Sequence, residues 1–348
     1  MQGARLGTLA LALCGAACAT APPPPPPLQL ALPPVPDVVE LRTALENATL
    51  RTLVAEQPRV ETPTTASMPI PEHQSIRAAL AVFSSDLKSD IQQSLIRSAK
   101  YRTLIEQVLD EFKLPKALEY LPVIESAYFQ TLISRAGARG MWQFMPETAR
   151  EYGLRVDWWV DERADPERST RAAAAYLKDL YRDFGDWPLA LAAYNAGPRR
   201  IHAALADTHA STFWDLLDLA AIPRETRGYV PTFFASLIIA GDPSSHGFRI
   251  SDPIDPGVKR IEVRGPLSLR FLAEKANVEE ELLRDLNPML RQGVVPPRRM
   301  EIRVPSEAAK VIAAVSRKHD PYVAKQLARL GPRHRKGRHG ERAITGGM

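Results

Sequence analysis

The sequence predicts a mainly helical protein: an all-α domain over residues 76–245, followed by a small βααβ module over 258–306. Three observations lead there. Alanine and leucine dominate an apolar content of 45%, a composition that favours helices over sheets. Between 76 and 245 apolar residues recur at three- and four-residue spacing, and no run alternates apolar with polar, as it would in a half-buried strand. After a Pro/Gly-rich break at 253–257 the pattern changes to short runs of both kinds. A chain of 348 residues has room for one ordinary domain and a smaller one.

In chain order, Arg5 precedes an apolar stretch at 6–17, then Cys18, Ala-Thr-Ala and six prolines. A charged start, a short apolar core and small residues at its end make an export signal, too short to span a bilayer permanently. Cys18 resembles the acylated cysteine of bacterial lipoproteins, with small Ala16 and Ala17 before it, although Gly15 stands where an aliphatic residue is usual. Residues 1–18 are therefore expected to be a lipoprotein-type signal peptide with lipidation at Cys18. The mature chain would be exported, periplasmic and anchored to a membrane, expected to be the outer one. An ordinary secretory signal cut near Ala19 is the alternative. Cys14 and Cys18 are the only cysteines, so a mature domain would carry no disulfide. Residues 19–75 read as a tether: 19–36 as semi-rigid polyproline II, and 57–71 as a second polar, proline-dotted stretch.

Ile76, Leu80, Phe83 and Leu87 mark a first helical face, and Leu104, Ile105, Val108, Leu109 and Phe112 mark another. Leu114-Pro115 is expected to restart a helix towards Ser126, kinked at Pro122 just before Glu125. Asp165-Pro166 is a cap-then-proline start for a long helix ending near Gly185, with Ala173, Leu177, Leu180, Tyr181 and Phe184 on its buried face. Asp186-Trp187-Pro188 opens the next, closed by Gly197-Pro198, and a further helix covers roughly 224–239. In the module, strands are expected at 259–263 and 300–304, with helices at 267–276 and 278–286 between them. Residues 307–348 read as a basic, disordered tail. It ends in Arg333-His334-Arg335-Lys336-Gly337-Arg338 and holds most of the excess of the +5 net charge. In an exported protein such a tail meets wall polymers or lipid headgroups and not nucleic acid.

Four segments carry chemistry. Glu125 sits among Leu121, Val123, Ile124 and Ala127, with Tyr128 and Phe129 following. A carboxyl dehydrated in this way has a raised pKa and can donate a proton near neutrality. Arg139-Gly140-Met141-Trp142-Gln143-Phe144 combines a glycine that allows close backbone approach with an amide that both donates and accepts. Ala193-Tyr194-Asn195-Ala196-Gly197 ends a helix on a ring and an amide. Glu225-Thr226-Arg227-Gly228-Tyr229-Val230-Pro231 places a tyrosine at a proline-interrupted helix. Taken singly, each has an ordinary reading: a surface acid, core aromatics, a helix-terminal asparagine, a turn glycine. Their joint order and spacing is more specific.

Together, Leu121-Pro122-Val123-Ile124-Glu125-Ser126-Ala127-Tyr128, Gly140-Met141-Trp142-Gln143, Ala193-Tyr194-Asn195-Ala196-Gly197 and Tyr229-Val230-Pro231 resemble the four motifs of family-1 lytic transglycosylases. Met141 stands where leucine is commoner, a volume-conserving difference. The resemblance implies a lysozyme-like helical catalytic domain that cleaves the β-1,4 bond between N-acetylmuramic acid and N-acetylglucosamine in peptidoglycan. It implies Glu125 as the single general acid/base and 1,6-anhydromuramic ends as products. Tyr229 would orient Glu125 and Ser126 would steady the same turn. Gln143, Tyr194 and Asn195 would hold the sugars, with Met141 lining the cleft and Trp142 either stacking on a sugar or buried. Ser126, Met141, Gln143, Tyr194, Asn195 and Tyr229 are thus the expected substrate-binding set.

The C-terminal module resembles a LysM domain through Val263-Arg264-Gly265-Pro266-Leu267-Ser268-Leu269, Leu272-Ala273, Leu286-Asn287-Pro288 and Ile302, Val304 and Pro305. Pro266-Leu267 replace the usual acidic-Thr pair and Pro296-Pro297 a Pro-Gly turn. The strand–helix–helix–strand fold is expected, and glycan binding is left open against a purely structural role.

No cofactor and no metal are expected. The seven histidines are scattered without ligand spacing, and there is no phosphate loop or serine elbow. The expected partners are peptidoglycan glycan strands and, through Cys18, a membrane; nothing indicates an oligomer. The rival readings are a hydrolytic muramidase using a second acid such as Asp157 or Asp161, and a non-catalytic wall-binding lipoprotein.

Overall fold

The computed structural model describes residues 68–253, 255 and 257–323, all within the unit Pro36–Met348. The signal-like segment with Cys14 and Cys18, the proline-rich stretch 19–36 and the chain from 324 onward lie outside the described residues. Among the described residues no helix is long and apolar enough to cross a membrane.

Helices α1 (Gln74–Ser84) and, after α2 (Lys88–Ser98), which the spacing does not single out, α3 (Arg102–Phe112) carry the two predicted faces. Ile76, Phe83, Ile105 and Leu109 are buried in one core. Met68 is buried there too and Ile70 packs against it, so the end of the proline-dotted stretch is part of the domain.

The expected single helix from Leu114 to Ser126 is two elements. A 3₁₀ turn (Lys116–Tyr120) leads directly into α4 (Leu121–Ser126). Pro122 lies in the first turn of α4, where a missing N–H needs no partner, and does not kink the middle of a longer helix. Ala127 and Tyr128 then turn the chain at φ 50 and 63, so α4 stops immediately after Glu125 and Ser126. All six of its residues are buried.

After α5 (Pro146–Glu151), helix α6 (Pro166–Phe184) starts and stops where its caps predict. Asp165 accepts from the N–H groups of Glu167 and Arg168 at 3.0 and 2.9 Å, satisfying two orphan donors of the first turn. Gly185 ends the helix at φ 66, a left-handed position open to glycine. Tyr181 departs from the predicted buried face: it is exposed and stacks on Trp187. Helix α7 (Trp187–Ala196) is capped by Asp186, and its Leu189, Ala190, Leu191, Ala192 and Ala193 are all buried. A helix apolar on every side belongs in the middle of a domain. Accordingly α7 is packed by α6, α8 (Pro198–Thr208), α9 (Phe213–Asp218) and α10 (Arg224–Gly241). Helix α10 also packs on α1 and α4. Its Phe233 and Phe234 are fully buried, and side chains of this size contribute about 1.5–3 kcal/mol each.

In the module, β1 (Val258–Arg264) pairs antiparallel with β4 (Arg299–Pro305), Ile261 opposite Ile302. Between them lie α11 (Leu269–Ala276) and α12 (Glu280–Leu286), as predicted. Two features were not foreseen. A short ladder joins β2 (Leu267–Ser268) to β3 (Val294–Val295). The tail expected to be disordered from 307 instead begins with α13 (Ala309–Val315), whose Ile312 and Val315 enter the module core. Ala308, Ala309, Ile312 and Val315 find a core here that a composition argument cannot see.

Candidate active site

Helices α4, α7 and α10 and the turn 139–144 meet around Glu125. Its side chain is only 4% exposed, on a helix that buries every residue. The hydroxyl of Tyr229, from α10, donates a hydrogen bond to Glu125 Oε1. Tyr229 is itself buried. A carboxyl placed in this way exchanges water for one directed phenol donor, a charge-assisted bond whenever Glu125 is ionised.

Tyr194, from α7, donates to the backbone carbonyl of Trp142 at 2.8 Å. Burial, and secondarily the charge of Glu125, push its hydroxyl pKa well above the ordinary tyrosine range. It therefore stays a neutral phenol, holding the 139–144 turn against α7.

That turn depends on Gly140. At φ 87 it carries no Cβ strain, and a Cβ there would come within 1.8 Å of the Arg163 carbonyl oxygen. Arg139 bridges Phe144 across the turn, and Gln143 occupies φ 47. The Gln143 amide donates to the Gly140 carbonyl at 2.7 Å. Half-buried Asn195 is oriented from both sides. Its Oδ1 accepts from the Thr226 hydroxyl at 2.8 Å, and its Nδ2 donates to Glu225 at 3.3 Å.

Two residues of the expected substrate-binding set, Ser126 and Met141, have no exposed surface and face the interior. Ser126 instead donates to the Met141 carbonyl at 2.8 Å, binding α4 to the turn. Trp142 is likewise buried and not a sugar platform: its Nε1 donates to Thr170 on α6 at 2.9 Å. Of the set, Tyr229 bonds Glu125 directly and Tyr194 feels its charge, while Gln143 and Asn195 are held by the 139–144 turn and by α10.

The candidate second acids are committed elsewhere. Asp161 is buried and receives both Arg163 Nε and Nη2 at 2.9 Å, with Arg139 Nη1 at 3.5 Å. Burial alone would raise its pKa, but the Arg163 and Arg139 guanidinium groups outweigh that and hold it low. Asp157 Oδ1 accepts from the backbone N–H groups of Trp159 and Val160, both at 2.7 Å, as a turn former does. A buried carboxyl the sequence reading missed is Glu119, on the 3₁₀ turn before α4. Burial, with Glu106 nearby, pushes it up to about 7. Thr226 and Glu225 lay within a quoted motif without an assigned role. Arg163 pairs locally with Asp161, but its bonds to Gly137 and Phe144 reach 26 and 19 residues away.

A helical domain with one buried, tyrosine-held carboxyl, followed by a βααβ module, corresponds to two known domains. Residues 105–217 match the Transglycosylase SLT domain, and residues 257–320 match the LysM-like domain of lytic transglycosylase MltD. The two matches follow one another in that order. Among curated proteins it is similar to membrane-bound lytic murein transglycosylase D of Escherichia coli K12, 31% identical over 226 residues, covering 63% of this chain and 49% of that one. It is also similar to the soluble lytic murein transglycosylase of the same strain, 33% identical over 117 residues, covering 32% of this chain and 18% of that one. The chain thus spans about half the length of the first of these relatives or less. Among solved structures, the 70 kDa soluble lytic transglycosylase of E. coli is 25% identical with a TM-score of 0.38, covering 47% of this chain and 26% of that one.

Proposed function

We propose that this protein is a peptidoglycan lytic transglycosylase with Glu125 as its single general acid/base. Glu125 protonates the glycosidic oxygen as the bond from the muramic anomeric carbon to that oxygen breaks. Its carboxylate then takes the proton from the 6-hydroxyl of the same muramic residue, whose oxygen bonds to the anomeric carbon. No water is consumed and a 1,6-anhydro end forms. Ordinary glycosidases use two carboxylates, the second as nucleophile or water-activating base. An intramolecular hydroxyl makes the second dispensable, because proximity replaces activation.

The observation that carries this reading is the buried Glu125 carboxyl under the Tyr229 hydroxyl. The engagement of Asp161 by Arg163 and of Asp157 by backbone donors favours the non-hydrolytic reading over a two-acid muramidase. Gln143, Tyr194 and Asn195 are the residues proposed to meet the glycan. Export to the periplasm, attachment to the outer membrane through lipidated Cys18, and a monomeric state complete the proposal. Loss of labelled-palmitate incorporation in Cys18→Ala tests the anchor.

Mass spectrometry of muropeptides released from purified sacculi tests the chemistry. The expected products are lighter by one water than reducing ends, and Glu125→Gln, folded as the parent, releases none. Reducing-end products would replace this reading with hydrolysis.

A further inference from the structure

The LysM-like module is built into the catalytic domain. Val160, a residue of the helical domain's 155–165 segment, is fully buried as a member of the module's own core. It bridges Leu290, with Asp161 N–H donating to Met289 O at 2.9 Å and Arg291 N–H to Trp159 O at 3.0 Å. Arg303, on β4, reaches the nearly inaccessible Asp165 with both terminal nitrogens, at 2.7 and 2.8 Å. That carboxylate is the same one that caps α6. Burial opposes its charge, and Arg303 overcomes this to keep its pKa low.

The contacts continue towards Glu125 by two routes. Arg163, held by Asp161, donates to the carbonyls of Gly137 and Phe144 at 2.8 and 3.0 Å, and its own carbonyl fills the place of a Gly140 side chain. Along α6 from Asp165, Thr170 holds the Trp142 indole. Both routes end on the turn whose Met141 carbonyl accepts from Ser126 and whose Trp142 carbonyl accepts from Tyr194.

We infer that the LysM-like module is a structural member of the active site. Docked on the 155–167 segment, it fixes the 139–144 turn, and Arg303 is the positioning residue that ties the two. A binding appendage on a flexible linker needs none of this. A displacement of about 1 Å at a catalytic turn can cost up to about 100-fold in rate, so the coupling is measurable.

Native-state hydrogen exchange on the full chain tests it without any assumption about substrate. The inference expects the docking amides of Asp161 and Arg291 to open in the same cooperative step as the turn amides of Gly140, Gln143 and Phe144 as denaturant rises. Docking amides that open at lower denaturant while the turn amides stay closed would overturn it. The kinetic arm rests on the transglycosylase reading. Arg303→Met should lower kcat about 10- to 100-fold with KM within about twofold, and Arg303→Lys should recover part of the loss. A folded Arg303→Met with unchanged kcat would also overturn the inference. If that variant does not fold, the exchange result on the parent decides alone. An inactive parent would refute the transglycosylase reading and leave the exchange result standing.

Discussion

Glu119→Gln should make the protein's stability less dependent on pH, and the size of the effect follows from one carboxyl. Glu119 is 7% exposed on the turn that feeds α4. Burial is the main cause that raises it from an ordinary 4.5 to about 7; Tyr120 and Arg102 lower it and Glu106 raises it. Between these two values the folded chain binds a proton that the unfolded chain has released, so stability falls as pH rises. Below about 4.5 both states are protonated and nothing is lost; above about 7 the whole cost is present. With each pKa step equivalent to 1.36 kcal/mol, that cost is about 3 kcal/mol. Glutamine keeps the shape and never ionises. Urea unfolding of parent and variant, at pH 4.5 and pH 8, reads the term together with its Glu106 interaction, because titrating groups that do not touch Glu119 cancel in the comparison. The variant should gain about 3 kcal/mol relative to the parent between the two, or roughly 4–6 °C in Tm for a protein of this size. Parallel pH profiles for the two proteins would refute the buried, proton-holding Glu119.

Three other outcomes follow. Tyr229→Phe removes the Tyr229 phenol donor from Glu125; hydrogen bonds to charged groups contribute about 1.5–3 kcal/mol. Steady-state kinetics on glycan strands should therefore show kcat reduced about 10- to 100-fold, with KM little changed. Gly140→Ala forces a Cβ to within 1.8 Å of the Arg163 carbonyl at φ 87. Thermal unfolding should shift down by more than the roughly 1 kcal/mol expected at an ordinary left-handed position. Asp161→Asn breaks a buried pair and leaves the Arg163 and Arg139 charges without their carboxylate, a loss of about 3–5 kcal/mol. Since Asp161 is held low, the parent keeps this contribution above the ordinary carboxylate range and loses it as pH falls through the depressed value. The stability gap measured by denaturation should therefore narrow only in strong acid.

The sequence by itself determined the class of fold and the ends of α6 and α7. Asp165-Pro166, Gly185, Asp186 and Gly197 write their instructions within a few residues, because caps and left-handed stops are satisfied locally. The motifs likewise name Glu125 and Tyr229, which the fold brings into hydrogen-bond contact. Tertiary structure decided what those residues face. Ser126 and Met141 look like cleft residues in the sequence, yet both are sealed inside, because the turn 15 residues on folds back over α4. Asp161 looks like a spare acid until Arg163 closes on it. The junction of Arg303 with Asp165 spans 138 residues, and Tyr229 reaches Glu125 across 104. Burial and partnership at such separations depend on how whole helices pack, and no spacing rule along the chain encodes that.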